Sequence, residues 1–124
     1  MNLTKNELEI MDVMWAAGEP LSRGQLMEKS VDKSWKSSSV HILLNSMLKK
    51  GAIYEAGFAR CGKTCGRTYA PRITVEEYYV STLNATKARP DPVKFFAAAS
   101  EALDLDLADI EECLEALRAA RNNA

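Results

Sequence analysis

Residues Trp35–Gly51 read WKSSSVHILLNSMLKKG. Val40, Leu43, Leu44, Met47 and Leu48 fall at i, i+3, i+4, i+7 and i+8, which marks the buried face of one helix. Ser37 or Ser38 is placed to cap it, and Gly51 follows its last turn, where a left-handed residue commonly ends a helix. The opposite face carries Ser38, His41, Ile42, Asn45 and Lys49, again at helical spacing. That face is short-chained and uncharged for most of its length. It is either an ordinary solvated surface or a helix able to sit close to base edges. In the second reading serine and asparagine donate or accept at the bases, and Ile42 meets a thymine methyl.

Working upstream, Thr4 and Glu7 form a capping box. Leu8, Met11, Met14 and Trp15 follow at helical spacing, Ile10 and Val13 widen the apolar face, and Gly18 closes a first helix. Glu19-Pro20-Leu21 is extended, because the residue before proline avoids the helical region. Ser22 caps a second helix, about Arg23–Ser30, with Leu26 and Met27 inward, and a polar linker Val31–Lys36 leads to the third. Downstream, strands are predicted at about Ala52–Ala59 and Arg67–Ala70, joined by the glycine-bearing turn Cys61–Gly66 and ended by Pro71. Three helices, a short strand between the first two and a trailing hairpin describe a winged helix-turn-helix.

After residue 72 the pattern is helical. Thr74 and Glu77 form a capping box before a helix at Tyr78–Lys87, Arg89–Pro92 interrupts it, and further helices are predicted at Val93–Leu103 and after Asp106, with Asp109 as the reciprocal cap. Leu103, Leu107, Ile110, Leu114 and Leu117 repeat at spacings of four and three, a heptad-like seam. Such a narrow stripe packs on another helix, either a neighbour in the chain or the same segment of a second copy. The predicted class is therefore mainly α with a small β-hairpin: a winged helix-turn-helix followed by C-terminal dimerisation helices.

Composition agrees. The chain has 124 residues, 47% of them apolar, enough for one packed domain with an appendage. Residues 1–72 hold eleven Lys/Arg against seven Asp/Glu, whereas residues 73–124 hold five against ten. A basic first part points to an anionic partner. No run approaches the ~20 apolar residues of a membrane span, and MNLTKNELEI lacks a signal-peptide core. The expectation is a cytoplasmic protein without a membrane partner, its cysteines reduced at rest.

Three stretches carry a resemblance: LTKNELEIMDVMW at Leu3–Trp15, WKSSSVHILLNSMLKKG at Trp35–Gly51 and GRTYAP at Gly66–Pro71. Together they resemble the penicillinase-repressor family, which includes repressors of β-lactamase and methicillin-resistance genes and copper-responsive repressors. The resemblance implies a homodimer that binds a palindromic DNA operator and blocks transcription. Residues 1–72 would form the DNA-binding domain and 73–124 the dimerisation region, with Tyr79, Leu83, Leu103, Leu107, Ile110, Leu114 and Leu117 at the dimer contact. It implies a recognition helix at about 37–50, presenting Ser37, Ser38, Ser39, His41, Ile42 and Asn45, and a wing at about 53–70. Lys36, Lys49, Lys50, Arg60, Lys63 and Arg67 are the candidate phosphate contacts; these position the protein without specifying sequence.

The remaining chemistry is sparse. Cys61 and Cys65 are spaced Cys-x-x-x-Cys, and with Cys113 they make only three thiols, too few for a structural zinc site. The two Cys-x-Cys pairs that mark the copper-responsive branch are absent. A thiol redox switch at Cys61 and Cys65, with Arg60 and Lys63 favouring thiolate, stands beside the plainer reading of two reduced thiols on an exposed turn. His41, the single histidine, has no Cys or carboxylate within a turn on its helix. No nucleophile–base set or phosphate-binding glycine loop is present, so neither an enzyme nor a cofactor is expected. In the β-lactamase branch repression is relieved by cutting an Asn-Phe bond; PVKFFAAAS at Pro92–Ser100 has none, and no inactivating protease or other inducer is assigned. The rival function is a winged helix used for protein contacts, with its basic excess incidental.

Overall fold

A computed structural model describes residues 2–61 and 64–123, with the side chains of residues 60, 61, 64 and 65 left aside. Its contacts divide the chain into two units, Met1–Ala85 and Thr86–Ala124.

The first unit is a winged helix. Helix α1 spans Lys5–Ala17, and the Thr4/Glu7 capping box forms in full: the Thr4 amide donates to Glu7 Oε1 at 2.9 Å and the Glu7 amide to Thr4 Oγ1 at 3.2 Å. Gly18, at φ 67°, ends it in the left-handed region open to glycine. Strand β1 is Leu21–Ser22, and helix α2 is Arg23–Lys29, where Gln25 turns the Ser22 cap into a second capping box. Helix α3 is Val40–Lys50, preceded by a 3₁₀ turn at Ser37–Ser39 and ended by Gly51 at φ 76°. The expected serine cap is not made: neither Lys36 nor Ser39 caps through its side chain. The chain instead tightens into i→i+3 bonding, a common way to start a helix.

Strands β2 (Ile53–Cys61) and β3 (Thr64–Pro71) pair antiparallel, and β1 adds to the other edge of β3, giving the order β1-β3-β2. Both hairpin strands run further than the sequence indicates. The six residues Cys61–Gly66 read as a turn, but ladder pairing carries β2 to Cys61 and restarts β3 at Thr64. A bulge lies between Glu55 and Gly57, and Gly57, at φ 150°, occupies a conformation that glycine tolerates best.

The core gathers Ile10, Met11 and Met14 of α1, Leu21, Leu26 of α2, Val40, Leu44 and Met47 of α3, and Ala52 and Ile53 entering β2. Trp35 is buried among them, so the linker residue plugs the core. Burial of each large side chain stabilises the fold by about 1.5–3 kcal/mol. The exit from the wing is fastened back to α1: Trp15 Nε1 donates to the Ile73 carbonyl at 2.9 Å, and the Trp15 and Tyr78 rings lie 6.0 Å apart. Helix α4 starts directly after the Thr74/Glu77 box and covers Val75–Ser81, earlier and shorter than the expected Tyr78–Lys87. Ser81 and Thr82 donate their hydroxyls to the carbonyls of Tyr78 and Tyr79, a local bonding that competes with helix continuation.

The second unit holds helix α5, Pro92–Ala102, capped by Asp91, and helix α6, Leu107–Asn122, opened by the Asp106/Asp109 capping box. Between them Asp104 takes a positive φ of 55°, and the Leu105 amide donates to the Ser100 carbonyl at 2.9 Å.

Candidate nucleic-acid interface

Helix α3 divides cleanly. Val40, Leu44 and Met47 point into the core, and His41, Ile42, Asn45 and Lys49 lie exposed on the other side. Ser37 and Ser38 are exposed on the 3₁₀ turn, Ser39 is half-buried, and Lys36 is exposed just before it. Ile42 is 72% exposed, although nothing in a solvated face calls for a bare isoleucine.

A second interaction, buried at its Glu7 end, fixes this helix. Lys50 Nζ donates to Glu7 Oε1 at 2.6 Å and to the Asn2 carbonyl at 2.8 Å, tying the end of α3 to the start of α1. Glu7 is only 1% exposed. Burial alone raises its pKa, but the Lys50 ammonium, the Thr4 amide and the hydroxyls of Ser46 and Thr4 overcome that and lower it to about 2. Its Oε2 makes no geometrically defined hydrogen bond. Lys50, a phosphate candidate by sequence, is thus paired with buried Glu7 while its own side chain stays partly exposed, and Lys49 beside it is exposed and makes no such pair.

The start of α3, the start of α2 and the wing surround one open groove. Ser22, Arg23, Gly24 and Gln25 line one side, His41 the floor edge, and Ala59, Gly66 and Arg67 the wing side. The structure therefore brings His41 and Arg67, widely separated in sequence, to the same surface. Arg67 is not free there: its Nη1 donates to Glu55 Oε1 at 3.0 Å across the strands. Both side chains are largely solvated, so this pair contributes at most ~1 kcal/mol. Arg60, Lys63, Cys61 and Cys65, the remaining wing residues singled out by sequence, lie outside the described residues or side chains.

Two residues escaped the sequence reading. Arg23, first residue of α2, lies beside His41, and both side chains are exposed at the groove. Phe58 on β2, cross-strand partner of Arg67, is 76% exposed. Arg23 sits on a different helix from the recognition face, so periodicity within one helix cannot find it.

In the second unit the seam residues are exposed in the single chain, from Ile110 at 40% to Leu107 at 77%, with Leu103, Leu114 and Leu117 between. Val93 and Phe96 of α5 are also exposed, and Tyr79 and Leu83 are exposed in the first unit. Cys113 on α6 is an exposed free thiol. Among the described residues no three His, Cys, Asp or Glu side chains cluster to hold a metal, and no helix is long and apolar enough to cross a membrane.

The model of the penicillinase repressor family matches residues 3–119. No curated protein matches the chain.

Proposed function

The chain belongs to the penicillinase repressor family, whose members are DNA-binding transcriptional repressors and not enzymes, and from that premise we propose that it represses as a homodimer on a palindromic operator. Residues 1–72 supply the DNA contacts and residues 73–124 hold the two copies together. Helix α3 enters the major groove with Ser37, Ser38, Ser39, His41, Ile42 and Asn45 towards the bases. Lys36, Lys49 and the wing cations Arg60, Lys63 and Arg67 meet the backbone. Half-sites are then one helical turn, ~34 Å, or a multiple apart. Such a protein works in the cytoplasm, where the operator is.

The observation that carries this reading is the split of α3. One face is locked by core packing and the Lys50–Glu7 pair, and the other offers exposed Ile42 among short polar side chains. A rigid helix with a low, mixed outer surface suits base edges better than water. The dimer is supported by the unburied seam Leu103, Leu107, Ile110, Leu114 and Leu117, five exposed apolar residues repeating at spacings of four and three.

The test is an electrophoretic mobility shift titration at two salt concentrations, with sedimentation of the free protein. Expected are a dimer and DNA affinity that falls steeply as salt rises, because each neutralised phosphate releases counterions. Binding that is absent or indifferent to salt leaves the protein-interaction module as the answer.

A further inference from the structure

Phe58 has no role in the reading above. A lone exposed apolar side chain marks nothing by itself, but this one is placed by a local departure from regular strand. Strand β1 pairs only with Tyr69 and Thr68, so the rung Phe58–Arg67 is the first at which the wing stands as a two-stranded ribbon. Regular alternation from Glu55 would put residue 57 on the face of Glu55 and Phe58 on the other. The bulge between Glu55 and Gly57 adds one residue and reverses this. Phe58 thereby shares a face with Arg67, its partner on the ladder, and with Glu55, to which Arg67 donates at 3.0 Å. Glycine at 57 answers a conformational demand and not a steric one: φ is 150°, while an added Cβ would find Thr68 Oγ1 no nearer than 3.8 Å. Phe58 is flanked by small residues, Gly57 and Ala59, so its ring, 76% exposed, is the bulk on that stretch of β2. Charge selects what meets it. Residues 56–72 hold Arg60, Lys63, Arg67 and Arg72 and no carboxylate. Arg67 and the next rung, Ala59–Gly66, also line the groove that reaches His41 on α3. An apolar protein partner has no need of this cationic setting, whereas a polyanion with apolar patches does. Duplex DNA is such a polyanion: its phosphates alternate with deoxyribose rings whose C–H faces are apolar.

Resting on the DNA-binding reading, we propose that Phe58 is a non-ionic contact of the wing, laid against deoxyribose of the operator backbone beside the phosphate that Arg67 meets. Side chains opposite each other on an antiparallel ladder start about 5 Å apart, a separation suited to a phosphate and the sugar next to it. Such a contact adds affinity by removing apolar surface from water, and it carries no sequence information. It neutralises no phosphate and releases no counterion, so its contribution is indifferent to salt.

The test uses the full chain and two probes: a duplex selected by the wild-type protein from a random pool, and a scrambled duplex of equal length and composition. Phe58→Ala is expected to weaken binding to both by a similar factor, roughly fivefold, as for partial burial of one phenyl ring. The slope of log affinity against log salt is expected to stay at its wild-type value. Arg67→Gln supplies the contrast, because removal of a phosphate contact lowers that slope by about one. Phe58→Leu is expected to keep most of the wild-type affinity, since the sugar face asks only for apolar bulk. Thermal melts of these exposed-site variants check that the fold is kept. The proposal is overturned if Phe58→Ala leaves the affinity for both duplexes unchanged while the wild type binds, or if it lowers the salt slope as Arg67→Gln does. Unequal losses on the two duplexes mean that Phe58 reads or wedges base steps, and they overturn the sugar contact. A Phe58→Leu variant that falls as far as Phe58→Ala overturns it too. Absence of DNA binding by the wild type is a different result, which overturns the repressor reading itself.

Discussion

Helices α3 and α6 are written in the same hand and meet opposite fates. Both space apolar residues at threes and fours. In α3 the stripe Val40, Leu44, Met47 is buried; in α6 no residue is, and Leu107, Ile110, Leu114 and Leu117 all face water in the single chain. Periodicity states that a face must be covered and says nothing about what covers it. For α3 the cover lies in the same chain, in α1 and the wing. For α6 it is proposed to lie in a second copy.

The sharpest way to break this contrast is to truncate one leucine in each helix. Leu44→Ala is expected to lower the unfolding free energy by about 2–5 kcal/mol, read from denaturant melts, because it opens a cavity in the core. Leu114→Ala is expected to leave the dilute monomer within ~0.5 kcal/mol of wild type while weakening self-association measured by sedimentation. Equal destabilisation of the monomer by both would mean that the α6 stripe is covered within its own chain.

The next effect concerns how α3 is anchored. Glu7, with its folded pKa lowered to about 2 from an ordinary 4.5, binds fewer protons folded than unfolded between those values. Its contribution is therefore fully present above about pH 4.5 and is lost as pH falls towards 2. The shift corresponds to about 3 kcal/mol. Urea melts across that interval are expected to show the loss in the wild type and to show it blunted in Glu7→Gln, which is itself less stable at neutral pH because Lys50 loses its partner. A wild-type stability that is flat over this interval sinks the assignment.

The smallest effect belongs to the exposed wing. Glu55→Gln releases Arg67 and is expected to change stability by less than ~0.5 kcal/mol. By removing a negative charge beside the groove it is expected to raise DNA affinity a few-fold at low salt and less at high salt. An unchanged affinity would remove Arg67 from the proposed backbone contacts.

Much of the first unit was legible in sequence because its signals are local. The Thr4 box, the apolar face of α3, the glycines at 18 and 51 and the extended Leu21 each act within a turn or two. The misreadings occur where hydrogen bonding that spacing does not reveal decides, whether between strands or from a side chain to its own backbone. Pairing along the ladder turned most of a glycine- and cysteine-bearing turn into strand. Side-chain hydroxyls of Ser81 and Thr82 accompany the early end of α4. The functional surface was legible only in part for the same reason. Ile42 and Asn45 could be placed from spacing alone, but the pairing of Lys50 depends on Glu7, 43 residues away, and the groove that His41 shares with Arg67 depends on the wing.

The bond from Trp15 to the Ile73 carbonyl makes the protein its own optical instrument. Its two tryptophans occupy different stations: Trp35 is sealed in the core where the linker enters α3, and Trp15 is half-buried at the seam with the exit from the wing. Loss of the indole hydrogen bond and of the nearby Tyr78 ring alters Trp15 emission while leaving Trp35 dark to the change. In a Trp35→Phe background the remaining tryptophan emission follows the α1–Ile73 clasp and the edge of the core on which Trp15 packs. Peeling of the exit segment ahead of core melting is then read as an early phase of Trp15 emission.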